Sequence, residues 1–326
     1  MTTSSLPTVS PSPTLPLRSA VDGVPLVVLE NETWRVGVLP GTGASVAFGQ
    51  IRHSGGWLDL LRSTAVEDYR NAENCASFAL VPWSNRVRDA VLRYAGRDYR
   101  LRANAPDGTA IHGTAREYPW TVEAEESDGL VATFDSREFH GVNFPWKFSA
   151  RLVYRLEGRC LFLTTTLRNE DRVPIPAGLG HHPYFHRSLT GDEDEVMLAV
   201  PCEEYYVLDR ALPTGPSVPV EPRVDFRASR PLGSEFIDDC LTGRQLDAPI
   251  RMTYPRSGRT ITIGADDVFS HVVVYVPLGS EFFAVEPVSN ANDGFSLYER
   301  GVLGSGIFVL QPGEERNGSI WLDVER

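Results

Sequence analysis

The sequence predicts an all-β protein, a large antiparallel β-sandwich with very little helix. Apolar and polar side chains alternate along many short segments, which is the period of a half-buried strand. Several of these segments come in pairs separated by two- or three-residue turns, as in antiparallel hairpins. Because a sheet that is apolar on one face needs a second layer to cover it, we expect the hairpins to stack as two sheets.

The clearest hairpin is KFSARLVYRL followed by RCLFLTTTLRN, residues 147–156 and 159–169, with a turn at Glu157-Gly158. The same pattern predicts hairpins over 91–101, 121–134 and 250–264, and single strands at LVVLE, WRVGVLP, SVAFGQIRH, HVVVYVPL, FFAVEPV and GIFVLQPG. TAVEDYRN, residues 64–71, is the best candidate for a short helix. The proline-rich tract 209–236 is interpreted as a long functional loop, although a linker would have a similar composition.

The N-terminal segment MTTSSLPTVSPSPTLPLRSA is rich in Ser, Thr and Pro. It lacks the basic and apolar regions of a signal peptide, so we expect residues 1–20 to be a disordered lead and the protein to be cytoplasmic. Residues 21–326 are expected to form one sandwich domain. The four cysteines are widely scattered and predict neither a disulfide framework nor a zinc site.

Charge and composition restrict the partners. Of the 326 residues, 42% are hydrophobic and 23% charged, as in soluble globular proteins. The net charge of −12 opposes binding to nucleic acid and to anionic membranes. No apolar run approaches the ~20 residues of a membrane helix. The sequence therefore favours a small-molecule partner, and it leaves open whether the protein is a monomer or a homodimer.

Five segments combine polar groups that are costly to bury with aromatic residues or glycines. Each alone is more simply explained as a turn, a solvated charge or a hydrogen-bonded histidine. The segments are VPWSNRVRDA (81–90), AIHGTAREYPW (110–120), GLGHHPYF (178–185), EFIDDCLTG (235–243) and LQPGEERNG (310–318).

Neither a metal nor a nucleotide cofactor is predicted. In a strand His181 and His182 would point to opposite faces, so they could not both ligate one ion. The glycine-rich GVLGSGIF, residues 301–308, leads into a strand rather than into the helix N-terminus that holds phosphate. We therefore expect no cofactor.

The order of these motifs resembles the aldose 1-epimerase (mutarotase) family. PWxNR, then IHG followed by Trp, then HPYF, then an Asp segment and a PGE near the end follow one another from about Trp34 onward. The resemblance implies one galactose mutarotase-like supersandwich with a sugar-binding cleft. It also implies an isomerase of carbohydrate metabolism that interconverts the α and β anomers of a hexose.

The resemblance also implies roles for individual residues. His182, in HPYF, matches the general acid, and Glu314, in PGE, matches the general base. Arg86 and His112 match groups that hold sugar hydroxyls and position the acid. Asp238 matches a sugar-binding aspartate, although Asp239 is one residue away.

Two more side chains are candidate sugar contacts. Asn85 stands beside the arginine of the NR motif. Tyr184 would share a strand face with His182, whereas Phe185 would point the other way into the core.

The substrate is less well defined. The family often has Asn-Leu after the Tyr-Phe, whereas this chain has His186-Arg187. Arg187, or another arginine near the cleft, could bind an anionic group, so a 6-phosphorylated or sulfonated hexose is an alternative substrate.

The residue types suit acid–base ring opening. A carboxylate with an ordinary pKa of ~4.3 is a ready base, and an imidazole at ~6.5 can be held protonated by a nearby carboxylate. Two other functions stay open. A glycoside hydrolase would need two carboxylates, which Glu286, Glu314 and Asp238 could supply. A non-catalytic sugar-binding protein would keep the cleft without turnover.

Overall fold

Two antiparallel sheets form the frame of the protein in the computed structural model, which describes residues 17–191 and 194–325. About 49% of the chain is strand and 7% is helix, so the predicted all-β sandwich with little helix is confirmed. The strands are β1 Leu17–Val21, β2 Val24–Glu30, β3 Trp34–Leu39, β4 Ser45–His53, β5 Gly56–Leu61, β6 Ala79–Leu80, β7 Arg86–Val87, β8 Val91–Tyr94, β9 Arg97–Arg100, β10 Ala110–Ile111, β11 Thr121–Glu126, β12 Gly129–Asp135, β13 Phe148–Glu157, β14 Cys160–Asn169, β15 Ile175–Ala177, β16 Gly180–His181, β17 Tyr184–His186, β18 Met197–Ala199, β19 Cys202–Tyr205, β20 Leu208–Asp209, β21 Leu212–Pro213, β22 Val218–Pro219, β23 Arg230–Pro231, β24 Ile237–Arg244, β25 Ile250–Tyr254, β26 Arg259–Ala265, β27 His271–Val276, β28 Phe282–Val288, β29 Phe308–Leu310 and β30 Glu315–Glu325.

The first sheet runs in the order β1-β2-β3-β4-β5-β17-β28-β27-β24-β19-β22, with β16 paired to β28 and to β6. The second sheet runs in the order β11-β12-β13-β14-β30-β26-β25-β18-β23. Four short ribbons, β7 with β10, β8 with β9, β15 with β29 and β20 with β21, complete the pairing among the described residues. One hydrophobic core that extends from Val27 to Val324 contains side chains of both sheets.

The hairpin of β13 and β14 illustrates why the sequence folds in this way. In β13 every second residue from Phe148 to Leu156 is buried, and β14 has the same alternation against it. Leu152 opposite Thr165 and Tyr154 opposite Leu163 therefore lie on the inner face. The predicted hairpins over 91–101, 121–134 and 250–264 are also present, as β8–β9, β11–β12 and β25–β26.

Helical structure is scarce and short. The α-helix among the described residues, α1, spans Gly294–Glu299. Within the predicted helix 64–71 the structure forms a 3-10 turn, Val66–Asp68. The other 3-10 turns are Ala72–Asn74, Arg88–Ala90, Ala115–Glu117 and Ser136–Glu138.

The ends of the predicted regions differ from those observed. The first strand begins at Leu17, before the predicted boundary at residue 20, and residues 1–16 of the predicted lead lie outside the described residues. The tract 209–236 contributes the short strands β21, β22 and β23, and the last two add to the two sheets. No helix in the described ranges has the length and apolar character needed to cross a membrane.

Candidate active site

A row of side chains crosses one face of the first sheet. Tyr184 of β17 pairs with Ala284 of β28, Ala284 pairs with Tyr275 of β27, and Tyr275 pairs with Asp238 of β24. Directly paired residues in antiparallel strands project from the same face. This register therefore brings side chains from four strands to one surface.

His182 and Glu286 form the centre of this surface. Alternation along β28 puts Glu286 on the same face as Ala284, and its Oε1 lies 3.1 Å from Nε2 of His182. Both side chains are almost completely buried. The ring of Phe78 stacks on the imidazole at 4.9 Å between centroids, and the ring of Tyr184 lies at 4.4 Å. The amide N–H of His182 also donates to the carbonyl oxygen of Phe78, which fixes the position of the imidazole.

His112 lies next to this pair, with its ring centroid 5.2 Å from that of His182. The amide N–H of Asn85 donates to Nδ1 of His112 at 3.3 Å, while the amide of His112 donates to the carbonyl oxygen of Asn85. Because Nδ1 accepts, a neutral His112 carries its proton on Nε2. His112 can therefore offer an N–H from that nitrogen.

Gly113 of the IHG motif is needed at this point for its backbone. Its φ is +70°, and it forms a parallel bridge with Val81. A Cβ at this position would stand 2.1 Å from the carbonyl oxygen of Val81. The glycine therefore permits the close approach that positions the preceding histidine.

Replacing Gly113 with Ala is expected to lower the free energy of unfolding by about 2–4 kcal/mol, since the change adds both a positive-φ penalty and a backbone clash. Gly108→Ala is the matched control. Its φ is +82°, but nothing lies within 4 Å of the added Cβ, so only about 1–2 kcal/mol of strain is expected. Urea denaturation measures both variants, and equal losses would contradict the close-approach explanation.

Arg86 and Asp238 face each other beside the pair. Nε of Arg86 donates to Asp107 at 3.0 Å, and its Nη1 lies 3.7 Å from the carboxylate of Asp238. Asp239 is on the opposite face of β24, where Arg223 binds both of its oxygens at 2.7 and 2.8 Å. Asp238 is therefore the aspartate that the structure brings to Arg86.

The side chain of Asn85 does not act as the predicted sugar contact, because it is bonded to the loop around Asn290. Its side-chain amide donates to the carbonyl oxygen of Asn290 at 2.8 Å and is buried. The side chain of Asn290 in turn bonds the amide, the hydroxyl and the carbonyl oxygen of Ser84. The Asn85 side chain thus anchors the loop, and the amide that reaches toward the site is that of its backbone.

Glu314 is not brought to His182, which corrects the expectation that it faces the histidine. It is exposed, and its carboxylate accepts a hydrogen bond from the amide of Gln311 in its own turn. Its carbonyl oxygen accepts from the amide of Asn169, at the end of β14 in the second sheet. The PGE turn therefore leads into β30, and the carboxylate that meets His182 is that of Glu286.

The remaining predicted residues lie away from the pair. His181 is fully buried and its Nε2 lies 2.8 Å from the hydroxyl of Thr165 in the second sheet, so the two histidines point to opposite sides, as predicted. Phe185 is fully buried in the core, as predicted. The guanidinium of Arg187 donates to the carbonyl oxygen of Gly233.

Burial controls the protonation of the pair. Desolvation raises the pKa of Glu286 well above its ordinary value, and the negative charge of Asp238 adds to this effect. Desolvation, with smaller contributions from the guanidinium groups of Arg116 and Arg62, lowers the pKa of His182 to about 3. Both shifts favour a neutral pair. Their hydrogen bond holds one proton, and burial favours that proton on Glu286 with Nε2 of His182 as the acceptor.

The same cluster could be considered as a metal site. Among the described residues, one ligand atom each from His112, His182 and Glu286 lie within 4.8 Å of one another. A metal-ligating histidine normally donates its other ring N–H to an acceptor. Here Nδ1 of His112 receives an N–H from Asn85, which leaves a proton rather than a lone pair on Nε2. This polarity suits a hydrogen bond to a hydroxyl better than a metal ligand.

The sequence matches a known family over most of its length. Residues 25–323 match the sequence model of the family described as aldose 1-epimerase, a range that includes every side chain of the site. The chain belongs to the aldose 1-epimerase family. It is also similar to two Escherichia coli K12 proteins described as uncharacterized, YihR and YphB. YihR is 26% identical over 220 residues, which cover 67% of this chain and 70% of YihR. YphB is 24% identical over 263 residues, which cover 78% of this chain and 85% of YphB.

Solved structures show the same fold. A galactose mutarotase-like protein from Clostridium acetobutylicum superposes on this aldose 1-epimerase family member with a TM-score of 0.85. The two are 19% identical, and the match covers 96% of this chain and 99% of the other. At this identity the likeness supports the fold alone.

Sequence reasoning considered Glu286 only as one of three carboxylates for a hydrolase. A signal was present in FFAVEPV, where one glutamate stands inside an otherwise apolar strand of this aldose 1-epimerase family member. Lone carboxylates are rarely buried unless they are paired. A glutamate in a predicted core strand is therefore a candidate site residue, while one in a Pro-Gly turn is expected at the surface.

Proposed function

We propose that this protein interconverts the α and β anomers of a hexose, with His182 and Glu286 as the acid–base pair. The observation that supports this proposal is the 3.1 Å contact between Nε2 of His182 and Oε1 of Glu286 in a buried site. Glu286 takes the role of base that the sequence resemblance implies for Glu314. The acid assigned to His182 is kept.

The reaction needs one proton removed and one delivered. Glu286 as carboxylate takes the proton of the C1 hydroxyl, and protonated His182 gives its proton to the ring oxygen. The bond between C1 and the ring oxygen breaks as the C1 carbonyl forms, so the open-chain aldehyde is produced. Rotation about C1–C2 followed by the reverse transfers closes the ring as the other anomer. Each positioned proton transfer contributes ~10²–10⁴-fold to the rate.

The shared proton explains how the pair serves both directions. With the proton on His182 the histidine is the acid and Glu286 the base, and with the proton on Glu286 the roles are exchanged. Ring opening converts the first arrangement into the second, and ring closure restores the first. Both arrangements carry the same total charge, so the cycle brings no net charge into the buried site. Burial favours the arrangement in which both groups are neutral, with the proton on Glu286.

The surrounding groups suit a neutral sugar. The Nε2–H of His112 and the guanidinium of Arg86 are donors for hydroxyl oxygens, and the carboxylate of Asp238 is an acceptor for hydroxyl protons. The ring of Tyr184 can pack against sugar C–H groups, although it also contacts His182, whereas Phe78 is buried beneath the imidazole. We therefore assign binding roles to Arg86, His112 and Asp238, and a packing role to Tyr184.

Anomer-exchange NMR tests the proposal directly. The protein is added to equilibrated glucose and galactose, and the exchange rate between the α and β C1 signals is measured. The expected result is acceleration over the buffer rate. Sugar binding by calorimetry without acceleration would instead support a non-catalytic sugar-binding protein. Release of nitrophenol from nitrophenyl glycosides would support a glycoside hydrolase.

A negatively charged hexose is a second candidate substrate, because of Arg62. Its guanidinium lies 3.8 Å from the ring centroid of Tyr184, and it donates to the carbonyl oxygens of Glu73 and Cys75. In the described part of the chain no carboxylate lies within ion-pair distance of this half-buried cation. An anionic group on the sugar could supply the missing charge.

Under this second candidate, Arg62→Gln is expected to raise KM for glucose 6-phosphate by about tenfold or more, since charge-assisted hydrogen bonds contribute ~1.5–3 kcal/mol. KM for glucose should stay unchanged. Arg187→Gln is the matched control, because that arginine is bound to the carbonyl oxygen of Gly233. Exchange kinetics with both sugars measure the effect, and equal KM changes for the two sugars in Arg62→Gln would exclude the candidate.

A further inference from the structure

A buried arginine follows the IHG motif. Arg116 belongs to the 3-10 turn Ala115–Glu117, and its side chain is only 3% exposed. The amides of Thr114 and Ala115, at the start of this turn, both donate to the carbonyl oxygen of Val81, at 2.8 and 3.1 Å. The backbone therefore holds a positive charge in the interior of the protein.

The charge of Arg116 is only partly compensated. Its Nη2 lies 2.7 Å from Oε1 of Glu73, and in the described part of the chain no second carboxylate lies within ion-pair distance of it. Its buried Nε has no hydrogen-bond partner among the described residues. Glu73 is itself 53% exposed, so water screens its charge. Stability alone does not account for a buried cation that is paired in this way, because removing its hydration costs free energy.

Arg116 reaches the candidate active site through an aromatic ring. Its guanidinium carbon lies 5.1 Å from the centroid of the Phe78 ring, and the same ring stacks on the imidazole of His182 at 4.9 Å. Phe78 is buried, so the medium around both contacts is apolar and screens charge weakly. The positive charge of Arg116 therefore contributes to the low pKa of His182.

Several titratable or charged side chains face the imidazole of His182 from the elements around it. They are Arg62, His112, Arg116, Tyr184 and Glu286. The two arginines carry the positive charge of this set, and both oppose a proton on the imidazole. Arg62 is half-buried, so a bound anion can neutralise it, whereas the almost inaccessible Arg116 keeps its charge whichever substrate is bound.

We propose that Arg116 is a positioning residue that acts through Phe78 to hold the proton of the His182–Glu286 pair on Glu286. A neighbouring cation also makes a protonated His182 more ready to give its proton to the ring oxygen of the sugar. This effect on the reaction rests on the proposed function. The protonation state of His182 does not, because it is measured without a substrate.

Arg116→Gln tests the proposal against Arg116→Lys and Glu73→Gln. Glutamine removes the charge but still donates to Glu73, lysine keeps the charge, and Glu73→Gln breaks the ion pair while the cation stays in place. Nitrogen-15 NMR of histidine-labelled protein follows the protonation of His182. In Arg116→Gln its midpoint is expected to rise by about 0.5–1.5 pH units, as the loss of one nearby charge implies. In Arg116→Lys it should be unchanged, and in Glu73→Gln unchanged or lower.

The same variants should differ in the pH dependence of anomer exchange. A second proton on the His182–Glu286 pair leaves it without a base, so kcat/KM falls below an acidic limit that belongs to the pair. Without the cation of Arg116 the second proton binds more readily. The acidic limit of Arg116→Gln is therefore expected to rise by the same amount of about 0.5–1.5 pH units, with no rise in the two control variants.

An equal rise of the His182 midpoint in Glu73→Gln and Arg116→Gln would overturn the proposal, since the ion pair rather than the charge would then be responsible. An imidazolium at His182 in the wild-type protein at about pH 7 would also overturn it, and this result needs no variant. A raised midpoint in Arg116→Gln alone would support the role of Arg116 even if no sugar showed catalysed exchange. Catalysed exchange with the same midpoint and acidic limit in every variant would overturn this proposal and leave the proposed function in place.

Discussion

Replacing Glu286 with Gln is expected to lower kcat for anomer exchange by about 10²–10⁴-fold, since the amide cannot accept the C1 hydroxyl proton. The substitution keeps the shape of the side chain and its ability to donate to Nε2 of His182. Because burial disfavours the charge that Glu286 carries when ionised, the variant should fold, with a Tm equal to or above that of the wild type. Stopped-flow polarimetry of freshly dissolved α-glucose measures kcat, and thermal unfolding measures Tm.

Glu314→Gln is the matched control for this experiment. It makes the same chemical change on an exposed carboxylate that accepts from its own turn. We expect kcat within about twofold of wild type, because this carboxylate is exposed and bonded within its own turn rather than to His182. Stability should change by only ~0.5 kcal/mol or less. A large loss of kcat in Glu314→Gln with an unaffected Glu286→Gln would reverse the assignment of the base.

Replacing His182 with Gln is expected to reduce kcat by about 10²-fold or more, because the amide does not titrate and cannot deliver a proton to the ring oxygen. The side-chain nitrogen of glutamine can still donate to Glu286. Loss of the proton transfer should therefore exceed any loss of sugar binding, so kcat falls more than KM changes. The same polarimetric assay, run over a range of sugar concentrations, separates the two parameters.

His181→Gln provides the comparison with the neighbouring histidine. His181 is buried and bonds the hydroxyl of Thr165 in the second sheet. Its replacement should lower the free energy of unfolding by about 1–3 kcal/mol, typical of a disturbed buried hydrogen bond, and leave kcat within a few-fold of wild type. If His181→Gln abolished exchange while His182→Gln retained it, the two histidines would have to exchange their assigned roles.

Local patterns predicted most of the strands and the directions of their side chains. Alternation in KFSARLVYRL and RCLFLTTTLRN predicts a hairpin with one buried face, and the burial of β13 and β14 follows it residue by residue. The same alternation separates His181 from His182. Both results depend only on the two-residue period of an extended chain, which neighbouring residues define.

The proposed base could not be assigned in the same way. Glu314 follows a proline and a glycine, and a turn of this kind puts a carboxylate at the surface. Glu286 lies in an apolar strand, and its role depends on which strands pair with that strand. Only the order β17-β28-β27-β24 brings it to the face that carries His182 and Asp238.

The sequence by itself determined the sandwich fold, the hairpins, the separation of the two histidines and, through its motifs, the resemblance to the aldose 1-epimerase family. The tertiary structure alone decided that His182 meets Glu286 and that Asp238 rather than Asp239 faces Arg86. The physical reason is that side-chain alternation is a local property of the strand. Which side chains share a face is decided by long-range strand pairing, since a shift of register by one residue would turn a whole strand to the other side.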